Sequence, residues 1–500
     1  MDIRQAYAQF FADRFLKRHC IIRYMRVSFG KVNITPKDYI GRCLAGYTPV
    51  PRCTGKYDDI HARAVLIEDL VLGNVQKRLL LIALDFVQVP IMFTDYIKEK
   101  IQDAYKIHPN QVLIHAIHTH KSLDMSGLFI KGDGYPGVIW SVMFGSFRGD
   151  DKYKVWIARR IVDMVGEMIR QLQPARIAWS KQTIEDDIII NRRQPTRRSK
   201  SRLGVIAFKK LATDDIIGFI ANYGMHPTTL NMAIDKLSAD YPGRLIATVE
   251  KESGGSIDCV FFTGPAGDLN PITTCGTDFD ALERDKTPMY QQHGTYKDTK
   301  RLGSFLGRKA LELARGIPDD NYFDTIEFKS HVKVFWVPMR DFTRYWSKSW
   351  FYNRLVHGIK RHILLPVALV LADANEPNFA GFAAKHRGWK EIVTYTQVQY
   401  IKVTTKAGDK QGSLAITGVP GELFEHFANQ IFDRTLEGPE DTFIFQTSND
   451  WIAYLFPLTE YMNGGYEPFA SYSPICGTYV KKKYFKLLQE IEEDITGGYF

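Results

Sequence analysis

The spacing of hydrophobic and polar residues along the chain predicts an alternation of β-strands and α-helices. Strands are expected where short apolar or β-branched runs are bounded by turn residues, and helices where apolar residues recur every three or four positions. The predicted strands are residues 64–72, 78–86, 112–117, 216–223, 257–262, 393–404 and 414–418. The predicted helices are residues 95–105, 156–173, 302–314, 422–436 and 483–495. This alternation predicts a mixed α/β fold, in which helices flank a mixed β-sheet core.

Turn-forming residues indicate where several of these elements begin and end. Gly73-Asn74 lies between the first two strands and predicts a β-hairpin. Gly316 follows the helix at 302–314 and predicts its end. Pro420-Gly421 would place Glu422 at the start of a helix, where the helix dipole favours an ionised carboxylate.

Two segments differ in character from the rest of the chain. Residues 2–24 carry apolar side chains at helical intervals with Arg and Lys between them, which predicts an amphipathic helix. We therefore expect a helical extension at residues 1–29 before a single domain at residues 30–500. Within that domain, residues 340–395 are rich in aromatic and basic side chains and are interpreted as an insertion or lid.

The composition is that of a soluble globular protein with a large core. The 500 residues are 45% hydrophobic and 24% charged, which excludes disordered, collagen-like and small disulfide-rich classes. The net charge is +9, which permits attraction to an anionic membrane surface. Because the basic residues are spread along the chain in short clusters only, we expect no nucleic-acid partner.

Cysteine usage and the apolar runs indicate a cytoplasmic protein. The six cysteines form no CxxC pair and no regular spacing, so we expect reduced thiols and no cysteine-liganded zinc. Residues 1–22 lack the uninterrupted apolar core of a secretion signal, and no apolar run reaches the length of a membrane-spanning helix.

Three histidines are candidates for chemistry because they lie at predicted strand ends. His118 and His120 are two residues apart at the end of an apolar strand, so both imidazoles are expected on one face. His226 follows the strand at 216–223. Each has an ordinary alternative, since such histidines often lie at the surface, cap an element or bond to the backbone. The Gly-rich turn at residues 263–268 could bind an anion or simply reverse the chain, and it lacks the lysine of a P-loop.

Motifs spread over most of the chain resemble the neutral ceramidase family, zinc-dependent amidases that cleave the N-acyl bond of ceramides. The resemblance covers roughly residues 30–320 and 395–475. The matching motifs are Ile34-Thr35-Pro36, Ala45-Gly46-Tyr47, residues 58–64, His118-Thr119-His120, Asn191-Arg192-Arg193, His226-Pro227-Thr228, residues 267–271, residues 418–422, Tyr454 and Gly464-Gly465-Tyr466-Glu467.

This resemblance implies a fold, a cofactor and a set of site residues. It implies a neutral-ceramidase-like catalytic domain with a Zn²⁺ ion that His118, His226, Glu422 and Tyr454 would hold. His120 would act as the acid or base, and Tyr466 would lie near the scissile carbonyl. The residues that would bind or orient the substrate are Arg193, Gly267, Asp268 and Asn270.

Three departures from the family pattern bear on function. Asn270 stands where the family has a serine once regarded as the nucleophile, so a covalent serine mechanism is excluded there. Lys121-Ser122-Leu123-Asp124-Met125 replaces a run of small residues, which we expect to change the rim of the site. From residues 1–22 and the short stretch after Tyr466, we also expect neither the family's secretion signal nor its immunoglobulin-like domain.

The sequence therefore predicts a zinc-dependent hydrolase in which zinc-bound hydroxide attacks an amide bond. Two alternatives remain open: a metal-binding scaffold that has lost turnover, and a metal-dependent esterase. The expected substrate is an N-acyl amide, a lipid amide among the options. Aromatic and basic residues at 342–371 are expected either to touch an anionic membrane from the cytoplasm or to pack into the core.

Overall fold

The structure is a computed structural model that describes residues 23–47, 50–125, 151–194, 199–274, 294–337, 395–471 and 474–497. The strands in these ranges are β1 (Arg23–Asn33), β2 (Leu44–Ala45), β3 (Gly55–Lys56), β4 (His61–Val71), β5 (Asn74–Leu84), β6 (Val112–Ala116), β7 (Ser122–Leu123), β8 (Gln173–Thr183), β9 (Ile189–Asn191), β10 (Arg202–Lys210), β11 (Ile216–Tyr223), β12 (Lys236–Leu237), β13 (Asp258–Thr263), β14 (Leu269–Pro271), β15 (Thr325–Trp336), β16 (Tyr395–Ala407), β17 (Lys410–Gly418), β18 (Glu422–Leu423), β19 (Thr442–Phe445) and β20 (Tyr454–Leu455). The α-helices are α1 (Ile91–Tyr105), α2 (Asp151–Arg170), α3 (Asp240–Glu252), α4 (Tyr296–Arg315), α5 (Glu425–Phe432), α6 (Leu458–Met462), α7 (Tyr466–Ala470) and α8 (Cys476–Gly497).

Two β-sheets form the centre of the molecule. The first has eight strands in the order β13-β11-β10-β8-β1-β4-β5-β6, and its strand pairs are antiparallel except for β11 with β13 and β5 with β6. The second has four strands in the order β15-β16-β17-β19. Buried side chains of strand β16 enter two different cores. Ile401 and Val403 belong to the core shared with the first sheet, and Val398 and Tyr400 belong to the core on the other side. The period of two in the sequence thus serves two hydrophobic cores.

Helices cover the outer faces of the two sheets. Helices α1 and α2 pack with β4, β5 and β6, whereas α3 and α4 pack together beside β13, β10 and β8. Helices α5 and α8 close the core on the outer face of the second sheet. The result is the predicted mixed α/β fold. In the described part of the chain, no helix is long and apolar enough to cross a bilayer.

The first sheet curls until its two edge strands meet. Thr263, at the end of β13, donates its N–H to Nε2 of His115 on β6 at 2.9 Å and its hydroxyl to the Ile117 carbonyl at 2.6 Å. The buried segment 446–450 bonds to both strands, because the Gln446 N–H donates to the Thr263 carbonyl and the Ala116 N–H donates to the Thr447 carbonyl. The ends of β6, β11 and β13 therefore lie together although β6 and β13 are at opposite ends of the strand order.

Several predicted boundaries are corrected by the structure. The hairpin turn is Leu72-Gly73 rather than Gly73-Asn74; both turn residues have positive φ, and Asn74 already pairs with Val71. This is the backbone that a two-residue hairpin loop requires. Residues 23–29, placed in the extension at 1–29, are part of β1. Residues 1–22, most of the insertion at 340–395 and the whole aromatic and basic segment at 342–371 lie outside the described residues.

The predicted helix at 422–436 is also wrong in its first residues. Glu422 lies on the short strand β18, which pairs in parallel with β20, and α5 begins only at Glu425. The prediction that a helix dipole favours the ionised form of Glu422 is therefore wrong. Pairing of β18 with β20 competes with helix formation here and outweighs the local turn signal of Pro420-Gly421.

Asp450, the last residue of segment 446–450, allows the contacts of this segment to be tested. Its buried carboxylate accepts the N–H of Ile91 at 3.0 Å, at the first turn of α1, and burial raises its pKa to about 7. The folded protein thus binds this proton more tightly than the unfolded chain does. The stability that Asp450 contributes is present below about pH 4 and is lost as the pH rises towards 7.

We therefore expect Asp450→Asn to change the pH dependence of stability. The free energy of unfolding of the wild type, minus that of the variant, should fall by about 1.4 kcal/mol per pH unit between about pH 4 and 7. Urea denaturation at several pH values measures this difference. Asp187→Asn, at an exposed position, is the control. A wild-type-minus-variant difference that does not vary with pH would contradict the prediction.

Candidate metal centre

The two histidines of the HxH motif follow strand β6, and strained backbone aims the first of them. His118 has a φ of 70°, a conformation that costs a non-glycine residue about 1–3 kcal/mol. Its N–H donates to the Phe86 carbonyl at 2.8 Å, and its Nδ1 lies 2.6 Å from the Val87 carbonyl. From the strand period of two, we expected the imidazoles of His118 and His120 to lie on one face of the strand. Both imidazoles do face one site, but the reason is this irregular backbone beyond β6.

His226 approaches from the end of β11 and is fixed in the same manner. Its N–H donates to the Leu269 carbonyl at 2.8 Å, and its Nδ1 lies 3.0 Å from the Ala266 carbonyl. A carbonyl can only accept, so Nδ1 carries the proton in His226 and in His118. In the neutral form of each ring, Nε2 then has a lone pair, the arrangement found in histidines that bind metals.

Four buried donor atoms converge at this point. The Nε2 atoms of His118 and His226 are 3.0 Å apart, and Nε2 of His120 lies 3.4 Å from the first and 3.2 Å from the second. Oε2 of Glu422 lies 3.1 Å from Nε2 of His118 and 3.6 Å from Nε2 of His226. Lone pairs held this close repel one another unless a cation or a proton lies between them. The three histidines could therefore hold a metal ion, and Oε2 of Glu422, which is buried and accepts no hydrogen bond from the described residues, fits the same role.

The surroundings shift the pKa values of His120, His226 and Glu422 towards the protonation states that a metal needs. Burial lowers the pKa of His120 and His226 well below the usual range, and the neighbouring His118 and Arg192 charges lower it further. Burial would raise the pKa of Glu422, but the positive charges of His118 and Arg192, together with the hydrogen bond from Trp451, outweigh burial and lower it. Two neutral imidazoles and an ionised carboxylate follow.

Trp451 orients the carboxylate of Glu422. Its indole Nε1 donates to Oε1 of Glu422 at 2.9 Å, which leaves Oε2 directed at the histidines. Nothing in the sequence motifs indicated Trp451. A tryptophan so close to the Tyr454 motif was the available signal, but its partner lies 29 residues earlier and is brought near only by the pairing of β18 with β20.

Tyr454 lies beside Glu422 because the two residues are in register on β20 and β18. Its phenol is buried, and the guanidinium of Arg192 lies 5.2 Å above its ring. Burial would lower the pKa of Arg192, but the Tyr454, Glu467 and Glu422 charges raise it, so this arginine stays cationic. The ligand set of His118, His226, Glu422 and Tyr454 stays a prediction, with the tyrosine adjacent to the carboxylate.

Arg192, rather than the predicted Arg193, points to the centre. Arg192 donates to the Gly267 carbonyl at 2.7 Å and to Oδ1 of Asn270 at 3.2 Å. Arg193 pairs with Glu460 at 3.1 Å and shares Glu467, at 3.2 Å, with Arg192. The substrate-binding role predicted for Arg193 remains untested, but the geometry favours its neighbour. The sequence motif contains both arginines, and only the backbone beyond β9 decides which one faces inward.

Gly267 and Asp268 support the site from behind. A Cβ on Gly267 would lie 2.6 Å from the Glu422 carbonyl oxygen, so only glycine allows this close approach. Asp268 accepts the Glu425 N–H at 2.9 Å at the start of α5 and the Asn191 side chain at 2.8 Å, and burial raises its pKa to about 6. These contacts are structural, and the predicted substrate-binding roles stay predictions.

Asn270 contacts Arg192, and Tyr466 contacts Tyr454. Asn270 is buried on β14 with its Oδ1 facing the guanidinium. Tyr466 begins α7 and is 48% exposed, and its ring centroid lies 5.9 Å from that of Tyr454. Tyr466 is thus the most exposed of the predicted site residues.

Comparison with known proteins identifies the fold. No protein-family model and no curated protein matches this chain. The solved structure of neutral ceramidase from Pseudomonas aeruginosa is similar, with a TM-score of 0.65 and 16% identity over 95% of this chain and 75% of that chain. A structure of ceramidase complexed with C2 has a TM-score of 0.67 and 17% identity over 95% of this chain and 76% of that chain. The predicted mixed α/β fold is therefore confirmed, and it is ceramidase-like.

We expect Trp451→Phe to weaken metal binding, because the carboxylate of Glu422 loses the hydrogen bond that orients it. Removing a residue that orients a ligand commonly lowers metal affinity by about 10- to 100-fold. Competition with a chelator measures the affinity. Trp179→Phe is a matched control, because Nε1 of Trp179 also donates to a carboxylate, that of Asp441 at 2.6 Å, outside the cluster. Equal affinities of Trp451→Phe and the wild type would show that Glu422 is not a ligand or needs no such support.

Proposed function

We propose that this protein is a zinc-dependent hydrolase that cleaves an N-acyl amide bond. The observation that carries the proposal is a buried cluster of three imidazole nitrogens 3.0 to 3.4 Å apart, with a carboxylate oxygen 3.1 and 3.6 Å from two of them. Nitrogen and carboxylate donors of this kind suit Zn²⁺. The amide substrate is supported by the fold, which two structures described as ceramidases share. A lipid amide is the substrate class we favour for the same reason.

His118, His226 and Glu422 would hold the metal, with Tyr454 as the fourth ligand implied by the family resemblance. When bound, zinc supplies Lewis-acid chemistry: it lowers the pKa of water and polarises a carbonyl oxygen. The chain contributes rigidity, because Val87 and Ala266 fix the two imidazoles and Trp451 fixes the carboxylate. These contacts hold the lone pairs inward before the metal arrives, which limits the reorganisation that binding requires.

His120 is the residue we assign to proton transfer. Its Nε2 faces the cluster at 3.2 Å from that of His226, within reach of a water molecule attacking a carbonyl there. A neutral imidazole can accept a proton from that water and return it to the departing amine nitrogen. The same position would allow His120 to serve as a third imidazole ligand. Metal content of a His120 variant separates the two roles.

Arg192, Asn270 and Tyr466 would act on the substrate. The buried Arg192 cation favours negative charge that develops on the carbonyl oxygen during attack, since a charge in a water-poor site acts strongly. Asn270, which accepts a hydrogen bond from Arg192, would orient the amide. Tyr466, half exposed beside Tyr454, would donate its phenol hydrogen to the oxyanion from the accessible side.

We expect the purified protein to contain about one zinc ion per chain and to lose it when either fixed imidazole is removed. His118→Ala and His226→Ala each delete a donor from the buried cluster. Elemental analysis by mass spectrometry measures the occupancy. His426→Ala is the control, because this histidine pairs with Gln430 on the exposed side of α5. Full occupancy in both ligand variants would show that the site is misassigned.

We expect His120→Gln to reduce the release of a primary amine from N-acyl substrates by about 10²- to 10⁴-fold while the zinc content stays unchanged. Asn270→Ala should cause a smaller loss, since it removes only an orienting hydrogen bond. Loss of zinc from His120→Gln would make His120 a ligand instead. An Asn270→Ala variant that is inactive although folded and zinc-loaded would overturn the secondary role of Asn270.

The replacement of the family serine by Asn270 favours one further candidate, a metal-binding scaffold without turnover. A scaffold would retain zinc and release no amine from any N-acyl substrate. A metal-dependent esterase would use the same cluster and cleave ester analogues only. Matched ester and amide substrates assayed with the zinc-loaded protein therefore separate the three functions.

A further inference from the structure

Lys121, directly after the HxH motif, is a buried lysine. From the sequence, we expected Lys121 and the residues that follow it to alter the rim of the site. The structure corrects this for Lys121, whose side chain has no solvent exposure. A buried ammonium is costly unless its donors are satisfied, so its partners define its role.

The ammonium of Lys121 is held between the backbone and an aromatic ring. Nζ donates to the Ile234 carbonyl at 2.5 Å and lies 3.5 Å from the Met232 carbonyl. It also lies 4.6 Å from the ring centroid of Tyr47. At this distance an ammonium is attracted to the negative face of the ring, and the attraction is stronger where water is excluded.

Tyr47 connects this lysine to His120. The two ring centroids are 5.0 Å apart with an interplanar angle of 61°, an edge-to-face contact. The phenol of Tyr47 donates to the Leu230 carbonyl at 3.0 Å. Gly46, with a φ of +113°, lies against the imidazole so closely that a Cβ there would be 2.6 Å from the ring. His120 therefore packs closely against Gly46 and Tyr47, while the Val87 and Ala266 carbonyls accept from Nδ1 of His118 and His226.

We propose that Lys121 is a positioning residue whose ammonium holds Tyr47 against His120 and so keeps Nε2 of His120 directed at the histidine cluster. The orientation of His120 is a property of the chain itself. Its consequence for turnover rests on the proposed function. The family resemblance assigns no role to Lys121, because a small residue is expected at this position.

The backbone around Lys121 is fixed independently of its ammonium. The Ser238 N–H donates to the Lys121 carbonyl at 2.9 Å, and the Thr119 hydroxyl donates to the Ser238 carbonyl at 2.8 Å. Replacing the ammonium should thus release Tyr47 without displacing the strand end. Burial lowers the pKa of Lys121 to about 7, against the opposing charges of Asp240 and Asp235, so measurements belong at or below pH 6.5.

Lys181 provides a matched control elsewhere in the fold. It is largely buried, donates to the Pro439 and Thr442 carbonyls, and lies 4.6 Å from the ring centroid of Phe443. Burial lowers its pKa to about 7 as well. Lys181 thus shares the environment of Lys121, but its aromatic partner does not contact a histidine of the cluster.

The experiment compares Lys121→Met with Lys181→Met in metal-free protein carrying ¹³C-labelled histidine. The Cε1–H resonance of His120, assigned with His120→Gln, is recorded at pH 6.5. We expect Lys121→Met to shift or broaden this resonance and Lys181→Met to leave it unchanged. Tyr47→Leu should resemble Lys121→Met, and it provides the test if Lys121→Met does not fold. Tyr47→Phe, which keeps the ring, should resemble the wild type.

Turnover of the zinc-loaded protein is the second measurement. We expect Lys121→Met to lower kcat about tenfold at unchanged zinc content, a factor in the range of a desolvated cation–π contact. An unchanged His120 resonance in both Lys121→Met and Tyr47→Leu would overturn the proposal. The resonance depends neither on metal nor on turnover. If the protein had no amidase activity, the proposed function would be refuted, but the His120 resonance would still test the positioning role of Lys121.

Discussion

The buried hydrogen bonds of segment 446–450 are the contact on which the candidate site depends. This segment joins the two edge strands of the first sheet, β6 and β13, to the short strand β18. Oε1 of Gln446 accepts the N–H groups of Ala266 at 2.9 Å and Leu423 at 3.1 Å, so one amide oxygen fixes the loop behind His226 and the strand that carries Glu422. Buried polar groups are tolerated only when they are bonded, which makes this register difficult to change.

The same junction concentrates backbone strain near the candidate site. His118, Thr447, Asn449 and Ala453 all have positive φ values, between 48° and 70°. Such residues persist only where surrounding contacts over-determine them, and they tend to occur at functional sites. Here these residues direct side chains towards the site. His118 turns its ring inward beyond β6, and Ala453 precedes Tyr454, which pairs with Glu422. A regular sheet would leave these side chains on separate edges.

Electrostatics sets the character of the centre more than the overall charge of the chain does. The site combines neutral imidazoles, an ionised carboxylate and the buried Arg192 cation, and Arg192 is itself paired with Glu467 at 2.7 Å. Burial favours the neutral imidazoles that a metal ion requires, while Arg192 and His118 favour the ionised Glu422. The net charge of +9 is a property of the whole chain and does not define the site.

The sequence by itself determined the class of fold and pointed to the histidines, because both depend on local patterns. The strand at 216–223 was predicted with its observed ends, and the apolar strand before His118-Thr119-His120 was found within one residue. Hydrophobic periodicity and turn residues act over a few positions, so they are legible in one chain. These signals also placed His226 at a strand end, as observed.

Only the tertiary structure decided which residues meet at the site and how they are aimed. It placed Glu422 on a strand instead of a helix, directed Arg192 rather than Arg193 inward, brought Trp451 to the carboxylate, and buried Lys121 beneath Tyr47. Each of these outcomes depends on contacts between segments far apart in sequence. Local propensity carries no information on such partners, because the free energy of burying and pairing polar groups is settled only when the sheets close on one another.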